Sequence, residues 1–167
     1  MEGTIMDIDG DESQPSATPY VVDETWFEEN NFSFNQFVKA RMSAASLARF
    51  DEEIEERFTV MDKKSRRASF EFRTSRFGEN PVKVIRENCS RQRDYITPDM
   101  PTLEAIFRVL LANGNQPMTL EHIREQLAEW CPGGGCQWLL LPLDALERLI
   151  QNDRFYGIRP HASATAA

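Results

Sequence analysis

Between Pro101 and Pro160 apolar residues recur at helical spacing three times and then give way to a short β-prone stretch; this order constrains the fold more than any other feature of the chain. The first set is Leu103, Ile106, Phe107, Leu110 and Leu111, which share one face of a 3.6-residue period. That spacing predicts an amphipathic helix of about twelve residues with one face in a core. Pro101 suits its first turn, and Asn113-Gly114 supplies residues that end helices in the left-handed region. A second helix is predicted from Thr119, which acts as N-cap, with Glu121 in its first turn and Met118 stapled onto Ile123. Leu120, Ile123 and Leu127 form its apolar face. The third set, Leu139, Leu143, Leu146 and Ile150, opens near Pro142 and stops at Asn152-Asp153. The aromatics and glycine of Arg154 to Arg159 then read as a short strand.

The order helix, helix, helix, strand, with the phrases PMTLEHIREQL and ALERLIQNDRFYGI, resembles the winged-helix superfamily. In particular it resembles the HARE-type helix-turn-helix domain of the delta subunit of bacterial RNA polymerase. The resemblance implies a winged helix over 98–161, a role in transcription or at another nucleic-acid machine, and RNA polymerase as the partner. Members of the superfamily bind DNA through the third helix or serve as protein-docking modules. Outside its apolar stripe the third helix here offers Asp144, Glu147, Arg148 and Gln151, a poor match to phosphate. Residues 97–167 hold five Arg and no Lys against eight Asp and Glu, a net charge of −3. Docking on a protein partner through Glu147, Arg148 and Gln151 is therefore the leading expectation. The chain departs from the delta subunit in one respect: there the acidic region follows the helix-turn-helix domain, and here it precedes another folded unit.

The remaining sequence divides by charge. Residues 1–30 carry nine acidic groups and no Lys or Arg, in a chain whose formal net charge is −8. So little apolar surface with so much uncompensated charge predicts a disordered acidic tail, whose Tyr20, Val21, Val22, Trp26 and Phe27 are available to fold on a partner. From residue 31 a mixed α+β unit is expected to run to 97. Ser33 caps a helix carrying Phe34, Phe37, Val38 and Arg41, and a second start at Ser43 or Ser46 leads into Leu47, Phe50, Ile54 and Phe58. Alternation in Phe58–Met61 and in Ala68–Arg73, around a polar connector, reads as a β-hairpin. Residues 82–93 fit either a third strand or a helix capped by Asn80. The overall expectation is an α+β chain: acidic tail 1–30, α+β unit 31–97, winged helix 98–161 and a disordered tail 162–167.

Residues 58–96 reverse the sign, with ten Lys and Arg against five acids. Direct nucleic-acid binding, DNA or RNA, through Lys63, Lys64, Arg66, Arg67, Arg73 and Arg76 is the alternative function. Against it, Phe70 and Phe72 share one strand face and read as core, and the cations have a structural use opposite the acidic tail.

Catalytic and cofactor signatures do not stand out. The chain has no G-x-S-x-G, phosphate-binding loop, H-E-x-x-H or dinucleotide fingerprint, so neither an enzyme nor a cofactor is expected. Cys131 and Cys136 flank Pro132-Gly133-Gly134-Gly135, but a second close ligand pair for zinc is missing. They read as two ordinary thiols, because three cysteines without a secretion signal do not suggest a disulfide framework. No apolar run approaches the roughly 20 residues of a membrane span, and a cytoplasmic protein is expected.

Overall fold

The computed structural model describes residues 18–162. Its centre is the helix α5 (Thr102–Ala112), in which Ala105, Ile106, Phe107, Val109, Leu110 and Leu111 are all buried and no residue is exposed. Burial is thus not confined to one face as the spacing predicts. A helix covered on every side must have its polar groups met by partners, and the rest of the chain supplies them.

Around α5 the elements run in order: β1 (Pro19–Val22), α1 (Glu24–Glu29), α2 (Phe34–Lys39), α3 (Ala44–Ala48), β2 (Glu53–Met61), β3 (Ala68–Arg76) and α4 (Pro81–Glu87) precede it. After it come β4 (Met118–Thr119), α6 (Leu120–Glu129), α7 (Gln137–Leu140), α8 (Leu143–Gln151) and β5 (Ile158–Pro160). The chain is therefore mixed helix and strand, as expected. Several caps are those anticipated: Ser33 Oγ accepts from Gln36 N at 3.3 Å, Thr119 Oγ1 from His122 N at 3.3 Å, and Asn80 Oδ1 from Lys83 N at 3.2 Å. The last settles residues 81–87 as helix, with Pro81 in the first turn.

Four expectations need correction. The acidic stretch is structured from Pro19 onward, since β1 and α1 lie there with Tyr20, Val22 and Phe27 buried; residues 1–17 and 163–167 lie outside the described residues. Its apolar residues are few but find a place in this chain's own core. The helix foreseen through Leu47, Phe50, Ile54 and Phe58 stops at Ala48, and the last two belong to β2. The third helical set is split, α7 and α8 being separated by Leu141 and Pro142. The final strand is Ile158–Pro160, whereas Phe155 and Tyr156 lie in the preceding bend.

Two sheets result. In the first, β1 runs between β4 and β5, antiparallel to both, with Tyr20 opposite Met118 and Pro160, and Val22 opposite Ile158. The second is the ribbon β2–β3, nine residues on each strand, paired from Glu53 opposite Arg76 to Met61 opposite Ala68. Buried side chains from β1 to β5, on both sides of the predicted 97/98 boundary, form one cluster that includes Val38, Ile85, Phe107, Leu127 and Trp138.

A polar network fills the middle of this core. The Arg41 guanidinium stacks on Phe37 with its central carbon 3.9 Å from the ring centroid, and pairs with both carboxylate oxygens of Glu104 at 2.8 and 2.9 Å. Arg108 holds the same carboxylate at 3.0 Å and donates to Tyr95 O, while Tyr95 Oη donates to Arg108 O. Burial opposes ionisation of Glu104, but Arg41 and Arg108 outweigh it and hold the carboxyl below the usual carboxylate range. Burial first, and then the nearby Glu104 carboxylate, push the Tyr156 phenol up to about 12.

Candidate functional site

The ribbon stands out because almost none of it is buried. It leaves the body where Phe77 N donates to Glu52 O at 2.8 Å and Gly78 N to Phe50 O at 2.9 Å. Gly78 sits so close to the Phe50 ring that an added Cβ would collide with it. Lys83 Nζ on α4 reaches Glu56 Oε1 at 2.8 Å and fixes the ribbon's inner face to the body. Period two then separates the side chains. Ile54, Glu56 and Val60 on the inner face are half-buried, whereas Arg57, Thr59, Met61, Phe70 and Phe72 on the outer face are exposed. Phe70 and Phe72 are 56% and 65% exposed and are not core, contrary to expectation; α2 approaches this face only at the base, where Asn35, Gln36 and Lys39 line a pocket with Glu53, Thr74 and Arg76. The Arg57 guanidinium covers part of the Phe70 ring, 3.5 Å from its centroid.

The tip is a turn built on Asp62, which accepts from Lys64 N at 2.9 Å and Ser65 Oγ at 3.0 Å. These bonds hold its carboxyl below the usual range. Arg66 takes a positive φ of 53°. Among the described residues, Lys63, Lys64, Arg66 and Arg67 enter no ion pair. The other two predicted nucleic-acid contacts lie apart from them: Arg73 projects from the inner face and pairs with Glu71 at 3.5 Å, and Arg76 is at the base. The six cations form a tip cluster of four and two separate groups, not one patch.

On α8, Glu147, Arg148 and Gln151 span about 100° of the helix surface. Arg148 and Gln151 are exposed, but Glu147 is half-buried, with its carboxylate near enough to the Tyr20 hydroxyl of β1 to act on it. Burial first, and then Glu147, raise that phenol above its ordinary value. Arg148 borders a groove of about 660 Å³ between the start of α5 and α7–α8, lined by Leu103, Leu141, Ala145, Leu149 and Tyr156. Leu140, at 71% exposure, and Phe155, at 59%, are further large apolar residues open to solvent in this part of the chain. Sequence reasoning missed the groove, since Leu103 read there as part of a helical stripe and Leu149 entered none.

Cys131 and Cys136 are joined as a disulfide, with Cα atoms 6.3 Å apart, which corrects the reading of two free thiols. Bonded to each other, they offer no thiolate to a metal, and no group of three or more potential metal ligands occurs among the described residues. Cys89 is free and buried, accepting from Ser43 N at 3.3 Å. No helix among the described residues is long and apolar enough to cross a membrane. No family model, curated protein or solved structure matches this chain.

Proposed function

We propose that this chain is a non-enzymatic adaptor whose 98–161 segment is winged-helix-like and docks an apolar segment of a protein partner in the groove beside Arg148. The observation that carries this reading is the groove itself, where exposed Leu149 and half-buried Leu103 and Leu141 line an open apolar trough between α5 and α7–α8. Contiguous apolar surface of this kind marks contact sites. The order α5, β4, α6, α7–α8, β5 supports the winged-helix resemblance, and so does the antiparallel placement of β4 and β5 in one sheet. The central position of β1 in that sheet is a departure from the simple helix–helix–helix–strand pattern. A bacterial RNA polymerase or another nucleic-acid machine is the partner that the resemblance implies.

A second reading, direct nucleic-acid binding, is favoured by the four tip cations, which enter no ion pair among the described residues, and by Phe70 and Phe72 being exposed. A pull-down from native cells with and without nuclease separates the two. Docking predicts a nuclease-resistant partner that is lost with Leu149→Glu and retained when Lys63, Lys64, Arg66 and Arg67 are all changed to Ala. The opposite pattern, with binding that falls steeply as salt rises, would transfer the function to the ribbon tip.

A further inference from the structure

The ribbon has a charge axis as well as an apolar face. At its base Asp51, Glu53 and Glu55 are exposed and enter no ion pair among the described residues, while Glu52 is held by Arg49 and Glu56 by Lys83. Arg76, opposite Glu53 on the ladder, offsets one of these charges and leaves the base acidic. The turn at the other end carries Lys63, Lys64, Arg66 and Arg67 against Asp62 alone. Between the two ends lie Phe70 and Phe72. A two-stranded ribbon is marginal in water by itself, and this one also shows its aromatics and both strand edges to solvent.

We propose that the outer face is a self-association surface, on which the ribbon of a second copy of this chain lies antiparallel, related by a two-fold axis. Phe72 stands opposite Arg57 and Phe70 opposite Thr59, so the ring pair is centred on the Phe58–Glu71 rung. Glu53 lies five residues to one side of that rung, about 17 Å at the usual rise per residue, and Lys63 lies five residues to the other, in the turn just beyond the end of β2. An axis through the rings therefore brings the acidic base of each copy against the basic tip of the other, and two-fold symmetry makes this meeting occur twice. A parallel arrangement would set tip on tip and lose that attraction. The rings of one copy cover those of the other, removing from water two aromatic side chains that are exposed in the single chain.

The test is sedimentation of the full chain at low and high salt. The expected result is a dimer that weakens as salt rises. Phe70→Glu with Phe72→Glu should give a monomer with an unchanged melting temperature, since both side chains are exposed in the single chain; Phe70→Ser with Phe72→Ser is the milder version should the first not fold. Lys63→Glu with Lys64→Glu should weaken the dimer about tenfold or more, and Glu53→Lys with Glu55→Lys should do the same. All four reversals in one chain should restore it, because base and tip exchange signs together. A monomer at every concentration up to about 100 µM, a dimer indifferent to the phenylalanine changes, or four reversals no tighter than either pair would each overturn the proposal. So would a monomer that binds labelled oligothymidylate and loses it on Phe70→Ser with Phe72→Ser, for the face would then belong to single-stranded nucleic acid.

Discussion

Asn115 shows how much one side chain decides. Held at a positive φ of 56°, its amide accepts from Val22 N and donates to Val22 O, both at 2.8 Å, and so continues β1 as a strand residue would. Asp153 does similar work at the other end: buried beside β5, it accepts from Phe155 N, Tyr156 N and Ile158 N at 2.9 to 3.0 Å. Gly157 completes that bend at a φ of 66°, where a Cβ would press on Trp26 and Phe27. Glu104 is the residue with a consequence in pH. Its folded carboxyl titrates below its ordinary value of 4.5. A carboxyl of depressed pKa stabilises the fold above its unfolded pKa, and that contribution is lost as pH falls through the folded pKa. Wild-type melting temperature should therefore decline below about pH 4.5, and Glu104→Gln should lower it at neutral pH while flattening that acid limb. Parallel acid limbs for the two proteins would show that Glu104 does not carry the dependence.

Elements differ in how far their own sequences specify them. The helices α2, α4 and α6 begin at Ser33, Asn80 and Thr119 because each side chain satisfies an orphan backbone N–H locally. The ribbon was also legible, through alternation on both sides of Asp62-Lys63-Lys64-Ser65-Arg66-Arg67. Which of its faces would be covered was not, since alternation says only that Phe70 and Phe72 point the same way. The loop between α6 and α7 was misread for a related reason: spacing put Cys131 and Cys136 near each other, but their pairing needed both chain ends of the loop brought together. Closing so short a loop contributes about 2 kcal/mol through the unfolded state. Cys131→Ser with Cys136→Ser should lower unfolding stability in urea by about that amount, and a chelator should leave the wild-type midpoint unchanged. Stoichiometric zinc in native protein, with unfolding on chelation, would restore the two cysteines as ligands.

For the whole molecule, α5 is the hub: α4, α6 and β1 pack against it, and Phe37 of α2 and Tyr156 meet its Phe107. Leu110, fully buried at its middle, should cost about 2 to 5 kcal/mol when changed to Ala. Melting within a degree of wild type would mean that α5 is not packed as described. The sequence by itself determined the mixed α+β class, the helical order from Pro101 to Pro160, the local caps and the charge reversal between the acidic stretch and the ribbon. These follow from periodicity and from hydrogen bonds that close within a few residues. Only the tertiary structure decided that residues 19–29 join the core, that β1 takes the middle of its sheet, that Arg41 and Arg108 share Glu104, and that the ribbon's aromatic face stays open. Each of those depends on which distant segment arrives at a surface: Asn115 meets Val22 and Arg41 meets Glu104 across 93 and 63 residues of chain. No local pattern encodes such an arrival.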